Sequence, residues 1–216
     1  MYIMRNNDNR SKRILELVGT LPLFGASNLA PLGEKRPYLN IILSRHVKRG
    51  TLIRLRKELY VTRNYLDQAE RKGICSDYVE FAANKLYSPS YLSLDYVLHE
   101  HNLLTEIPRN ITSVGLRKTD HFSNELGNFF YHKIKEELFD GFNVLKKGNF
   151  SILKATKAKA LFDFLYFRKR LLVDRKAVEA LRLNLEEFTK SDFKELEGYV
   201  AKEGSVKMKE IINWLK

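Results

Sequence analysis

With 216 residues, 44% of them hydrophobic, the chain is long enough for two modest domains or one large one, and it can bury a sizeable core without covalent staples. Its single cysteine, Cys75, excludes an internal disulfide and points to a reducing compartment, and no stretch is long and apolar enough to cross a bilayer. The formal net charge of +12 is concentrated at the front: residues 1–65 hold thirteen Lys or Arg against four Asp or Glu, which leaves +9 there and +3 for the rest, a bias that favours nucleic acid as the partner of that segment, with plain solubility or an anionic membrane surface as alternatives that charge alone does not separate.

Arg10, Lys12 and Arg13 precede an apolar run from Ile14 to Phe24, the outline of a secretory signal. Glu16 and Pro22 interrupt that run and no small-x-small cleavage site follows. The pattern instead predicts a helix capped by Ser11 and stopped by Gly19 and Pro22, in a cytoplasmic protein. A second short helix fits residues 28–32, with Ser27 as cap and Gly33 as terminator. A third begins near Pro37, places Leu39, Ile42, Leu43, His46 and Val47 on one face, and ends at Gly50. Ile53 and Leu55 then alternate with Arg54 and Arg56, the period of a half-buried strand; Lys57-Glu58 turns the chain and Leu59 to Val61 returns as a second strand.

Three short helices followed by a basic hairpin describe a winged helix-turn-helix over residues 1–65. Its third helix is expected to enter the major groove of double-stranded DNA. The candidate contacts there are Lys35, Arg36, Tyr38, Asn40, Ser44, Arg45 and Lys48, since asparagine can read adenine and arginine guanine through paired hydrogen bonds. Arg54, Arg56 and Lys57 on the hairpin are expected to grip phosphate or reach into the minor groove. For any one of these residues a solvated polar face is the plainer alternative; the set together is read as a DNA surface.

Residues 65–76 read as a linker or a short connecting helix, ahead of a second domain over 74–216. Helices are predicted for 78–86, from Ser90 or Ser93 to about His101, and for 156–169, 175–183, 191–201 and 205–215. Strands are predicted at 111–114, 129–132 and 152–155. Without a regular βαβ beat, the fold class is α+β. No catalytic constellation, metal site or cofactor motif is found. His99 and His101 lie on opposite sides of a helix. Gly204-Ser205 opens like a nucleotidyltransferase motif, but no aspartate pair follows to hold magnesium. Asp163 within an apolar helix is read as a buried partner for a nearby donor. The chain is therefore read as a binding protein and not an enzyme.

Three segments occur in a recognisable order: Leu52-Ile53-Arg54-Leu55-Arg56 with Tyr60-Val61, then Tyr91-Leu92-Ser93-Leu94-Asp95-Tyr96-Val97-Leu98-His99, then Ala155-Thr156-Lys157-Ala158-Lys159-Ala160-Leu161-Phe162-Asp163. Together they resemble the AbiEi family of abortive-infection antitoxins, regulators of type IV toxin–antitoxin systems, over nearly the whole chain. The resemblance implies an N-terminal winged helix that represses its own operon at inverted repeats. It implies a C-terminal antitoxin domain, and a nucleotidyltransferase-like toxin that is counteracted without a stable complex. Two positions depart from the family pattern. The hairpin turn is Lys57-Glu58 where the family often has glycine, which leaves the shape of the wing open. Lys157-Ala158 stands where Pro-Glu is common, which makes Lys154, Lys157 and Lys159 a candidate phosphate-binding strip, with a solvated helix end as the alternative. The alternative function is a transcriptional regulator whose second domain senses a ligand or dimerises, with no toxin involved.

Overall fold

The computed structural model describes residues 11–216. They separate into two compact units. One comprises the chain up to Ala82 together with Phe122–Leu126; the other comprises Ala83–His121 and Gly127–Lys216. Arg10 lies outside the described residues.

The first unit opens with a helix, α1, that covers residues 11–18. Ser11 is already helical, so it is not the cap the sequence predicted. Its hydroxyl lies 2.7 Å from Nε2 of His46, because that ring is buried beside it and needs a polar partner. The second helical piece is a 3-10 helix, Ala26–Leu32, and its cap is Gly25, whose N–H donates to Asn28 Oδ1 at 2.9 Å; Ser27 lies inside the turn. Helix α2, Arg36–Lys48, starts from Lys35 as N-cap with a proline in its first turn. It buries Leu39, Ile42, Leu43 and His46, a face at helical spacing that matches the sequence reading. Those side chains close a core with Ile14, Val18, Phe24, Leu29 and Leu52. Each large apolar side chain so buried is worth about 1.5–3 kcal/mol of transfer free energy.

Strands β1, Leu52–Arg56, and β2, Leu59–Thr62, form an antiparallel hairpin. Glu58 occupies the left-handed position of the turn, φ 62°, which the missing glycine would have filled at less cost. Arg54 pairs with Tyr60 and Arg56 with Leu59, so β1 carries one extra residue, a bulge that tightens the twist. Phe24 exchanges both backbone hydrogen bonds with Tyr60 at 2.9 Å and adds a third short extended segment beside β2. The stretch read as a linker or a short helix is helix α3, Arg63–Arg71, capped by the Thr62 hydroxyl, which accepts from the Tyr65 N–H at 3.1 Å. Asn124 Nδ2 donates to the Leu55 carbonyl at 3.0 Å, and Arg63 pairs with Glu125 at 2.5 Å; both partners belong to the distant segment of this same unit. Helix α4, Cys75–Leu86, begins in the first unit and ends in the second.

The second unit holds strands β3 (Ser90–Leu92), β4 (Ile111–Gly115), β6 (Gly127–Lys133), β7 (Phe142–Lys147) and β8 (Phe150–Ala155), and the first two residues of β5 (Asp120–Asn124), whose remainder belongs to the first unit. They form one sheet in the order β5-β6-β4-β3-β8-β7. Pairing is mixed: β3 is antiparallel to β4 and parallel to β8, β4 is parallel to β6, and β7 is antiparallel to β8. Helices α5 (Leu94–Glu100), α6 (Lys157–Arg168), α7 (Arg175–Glu179), α8 (Lys190–Glu203) and α9 (Val206–Leu215) complete an α+β fold. Three strands go beyond the sequence reading: β3, where a helix start was expected, and the edge strands β5 and β7.

Strands β3 and β8 pair through Leu92 and Lys154 only, and a side chain supplies the next rung. The buried Asn84 amide donates to the carbonyls of Ser90 at 3.4 Å and Leu153 at 3.2 Å, and its Oδ1 accepts from the Leu153 N–H at 2.7 Å. Asn84→Ala removes these bonds, with the Leu153 N–H losing its acceptor, and is expected to lower the stability of this unit by about 1–3 kcal/mol in a urea titration. A change under about 0.5 kcal/mol would show that the gap refills with water.

Helix α6 is buried from Ala158 to Leu165, including Lys159 and Asp163. These two charges are fully enclosed and meet at 2.8 Å. The Asp163 carboxylate also accepts from Ser93 Oγ at 2.7 Å and Tyr91 Oη at 3.0 Å, so Asp163 is the buried partner the sequence reading expected. The Lys159 ammonium donates to the Leu138 carbonyl at 2.8 Å and lies 4.7 Å from the ring centre of Phe162 and 5.2 Å from that of Tyr199. Burial pushes the Asp163 carboxyl above its ordinary value, against the pull of Lys159, Ser93 and Tyr91. Gly141, φ 72°, is packed so closely that a Cβ there would stand 2.2 Å from the Tyr199 hydroxyl and 3.0 Å from Lys159 Cδ.

Candidate nucleic-acid interface

Helix α2 and the hairpin together build a cationic surface in the first unit. Because the core takes Leu39, Ile42, Leu43 and His46, the remaining positions of α2 face solvent: Lys35, Arg36, Asn40, Ser44, Arg45 and Lys48 are exposed and Tyr38 is half-buried. Arg54 and Arg56 are exposed on β1 because Ile53 and Leu55 are buried, and Lys57 is exposed at the turn. Asn40 and Ser44, one helical turn apart, line a groove of about 220 Å³ with Arg54 and Lys57. Two candidates from the helix and two from the hairpin thus converge on one concavity. Among the described residues no carboxylate pairs with Lys35, Arg45, Lys48, Arg54, Arg56 or Lys57. Cations held by no internal partner keep their full charge for an external anion.

Arg36 is the exception. Its guanidinium contacts the carboxylate of Glu58, which lines the groove. Sequence reasoning treated Glu58 only as a turn residue; its left-handed backbone and its pairing with Arg36 make it part of this surface. Val47 and Tyr60, the remaining residues of the groove, also went unnoticed, because each is half-buried and reads as core.

His46 fixes the far end of α2. Its Nδ1 lies 2.8 Å from Thr51 Oγ1, just ahead of β1, while Nε2 meets Ser11 on α1, so one ring ties three elements. Burial, helped by Arg49, holds its pKa below the ordinary 6.5. Burial also lowers His101, with Lys157 and Lys154, and His132, with Arg168, although in these two Asp192 and Asp95 respectively pull the other way. Each of these rings takes up a proton less readily folded than unfolded. Stability is therefore complete above about pH 6.5, and it falls as the unfolded state gains protons below that. The thermal midpoint is expected to drop between about pH 7.5 and pH 5.5; an unchanged or higher midpoint at the lower pH would contradict this.

No family model matches the chain, and no curated protein matches it.

The candidate phosphate strip on the second unit does not form. Lys159 is fully buried against Asp163; Lys154 pairs with Glu100 at 2.9 Å; and Lys157 pairs with Asp192 at 2.8 Å and contacts the Glu187 carbonyl. Lys154, Lys157 and Lys159 made the helix start look basic, but α8 and α5 bring carboxylates to meet Lys157 and Lys154. Gly204-Ser205 is a helix corner: Gly204 ends α8 in the left-handed conformation, and the Ser205 hydroxyl caps α9 by accepting from the Met208 N–H at 3.2 Å. Among the described residues no three His, Cys, Asp or Glu side chains converge to hold a metal ion, and no helix is long and apolar enough to cross a membrane.

Proposed function

We propose that the chain is a DNA-binding antitoxin of the AbiEi type. In this reading the first unit is a winged helix-turn-helix, with α2 in the major groove of promoter DNA and the β1–β2 hairpin on the flanking backbone. It represses its own operon at inverted repeats. The second unit counteracts a nucleotidyltransferase-like toxin without forming a stable complex. The protein acts in the cytoplasm, by binding and not by catalysis.

The observation that carries the DNA reading is the groove that gathers Asn40, Ser44, Arg54 and Lys57, with Arg54 and Lys57 unpaired with any carboxylate among the described residues. Phosphate neutralisation by such cations releases counterions, so affinity for a duplex falls steeply with salt. The toxin half rests on the three ordered segments of the sequence. The test is anisotropy of the full chain on its own upstream DNA across a salt series, with Arg54 and Arg56 replaced together by alanine. The toxin half is tested by co-expression with the neighbouring gene, scoring rescue of growth.

A further inference from the structure

The second unit contains a cleft of about 1090 Å³ that the DNA reading does not use. Its floor is the outward face of β6. Alternation along that strand buries Phe129 and Tyr131 and leaves Phe130 and His132 on the other side, where both line the cleft. The neighbouring edge strand extends this platform, because His121 stacks on Phe130 with ring centres 5.7 Å apart. The walls carry three arginines from three different elements: Arg109 from the loop before β4, Arg168 from the last turn of α6, and Arg182 just past α7.

The three are held differently. Arg168 is fixed in place: its Nη2 lies 3.0 and 3.3 Å from the two Asp95 oxygens, and its guanidinium sits 3.7 Å over the Phe164 ring. Arg109 and Arg182 are exposed, and among the described residues no carboxylate pairs with either. Arg182 adopts a left-handed backbone, φ 51°, a conformation that arginine rarely takes. His132, whose pKa burial and Arg168 hold below the ordinary imidazole value against the pull of Asp95, offers one donor and one acceptor in its neutral form.

A flat aromatic floor suits a planar ring, and arginines around it suit phosphate oxygens, which they engage through paired hydrogen bonds. Glu106 and Asp95 also line the cleft. Both oppose a polyanionic duplex; with the two Asp95 oxygens already on Arg168, the Glu106 carboxylate is the one that accepts from the amino edge of a base. We propose that this cleft binds a nucleoside phosphate, its base on the Phe130–His132 floor and its phosphate between Arg109 and Arg182, while Arg168 stays engaged with Asp95. The site goes beyond the DNA reading and does not depend on it.

The test is isothermal titration of the full chain with AMP, GMP, CMP and UMP, and with ribose 5-phosphate and the parent nucleosides as partial ligands. At least one nucleotide is expected to bind with Kd at or below about 100 µM, about tenfold or more tighter than ribose 5-phosphate and than its own nucleoside. The double replacement Arg109→Ala with Arg182→Ala is expected to weaken that nucleotide about tenfold or more at an unchanged melting midpoint, since both side chains are exposed and unpaired. Phe130→Ala is expected to weaken the nucleotide but not ribose 5-phosphate. A chain carrying Arg54→Ala and Arg56→Ala is expected to keep nucleotide binding, which separates this site from the DNA surface. The proposal is overturned by the absence of heat with every nucleotide up to about 1 mM, by nucleoside binding as tight as nucleotide, by unaltered binding in the Arg109/Arg182 variant, or by a single-stranded RNA pentamer that binds far more tightly than any mononucleotide and displaces it.

Discussion

Replacing Arg54 and Arg56 together by alanine is expected to weaken binding to promoter DNA by about 10–100-fold near physiological salt, and to flatten the salt dependence. If each arginine neutralises one phosphate, the slope of log affinity against log salt falls by about 1.8. Both side chains are exposed while their neighbours Ile53 and Leu55 are buried, so the hairpin itself survives the change. Glu58→Gln is the complementary arm. It frees Arg36 and removes a negative charge from the groove, so it is expected to strengthen binding, most at low salt. Affinity and slope both unchanged in the double arginine variant would remove the hairpin from the interface and, with it, the proposed docking.

Lys159→Met is expected to lower the stability of the second unit by about 3–5 kcal/mol at neutral pH, because it strands the Asp163 carboxylate in a site with no access to water. The loss is expected to shrink as the pH is lowered, since a stranded carboxylate can take a proton where a paired one resists it. Lys159→Met combined with Asp163→Asn keeps an acceptor for Ser93 and Tyr91 while removing both charges, and is expected to recover most of the stability. Urea titrations of the single and double variants measure the coupling directly. A single variant within about 1 kcal/mol of the parent would show that the pair contributes only packing.

The elements that sequence periodicity reaches are those with one buried face and one wet face. The apolar stripe of α2 and the Ile53–Leu55 alternation of β1 belong to this class, and both are where the pattern places them. Strand β3 escapes for the opposite reason: Ser90, Tyr91 and Leu92 are all buried, so three residues carry no alternation, and the rung beside them is an asparagine side chain from α4. The edge strand β5 escapes because it is largely polar, and β7 because its three apolar residues, Phe142, Val144 and Leu145, do not alternate and none is fully buried. Lysines give the clearest failure. In Lys157-Ala158-Lys159 the letters are alike, yet one ammonium is near the surface and the other is enclosed by aromatic rings, a difference made by Tyr199 and Leu138 from remote elements. The cleft of the second unit left no trace in the sequence, because its three arginines come from a loop, a helix end and a turn with no common spacing.

Residues 122–126 have a consequence for how the protein is made. Asn124 and Glu125 hold Leu55 and Arg63, yet they leave the ribosome 69 and 62 residues after those partners. The amino-terminal body therefore gains these two contacts late, with the hairpin that follows β4. A fragment cut at Ala82 lacks them altogether, so recombination that moves this body onto another protein keeps these contacts only by carrying two pieces of gene.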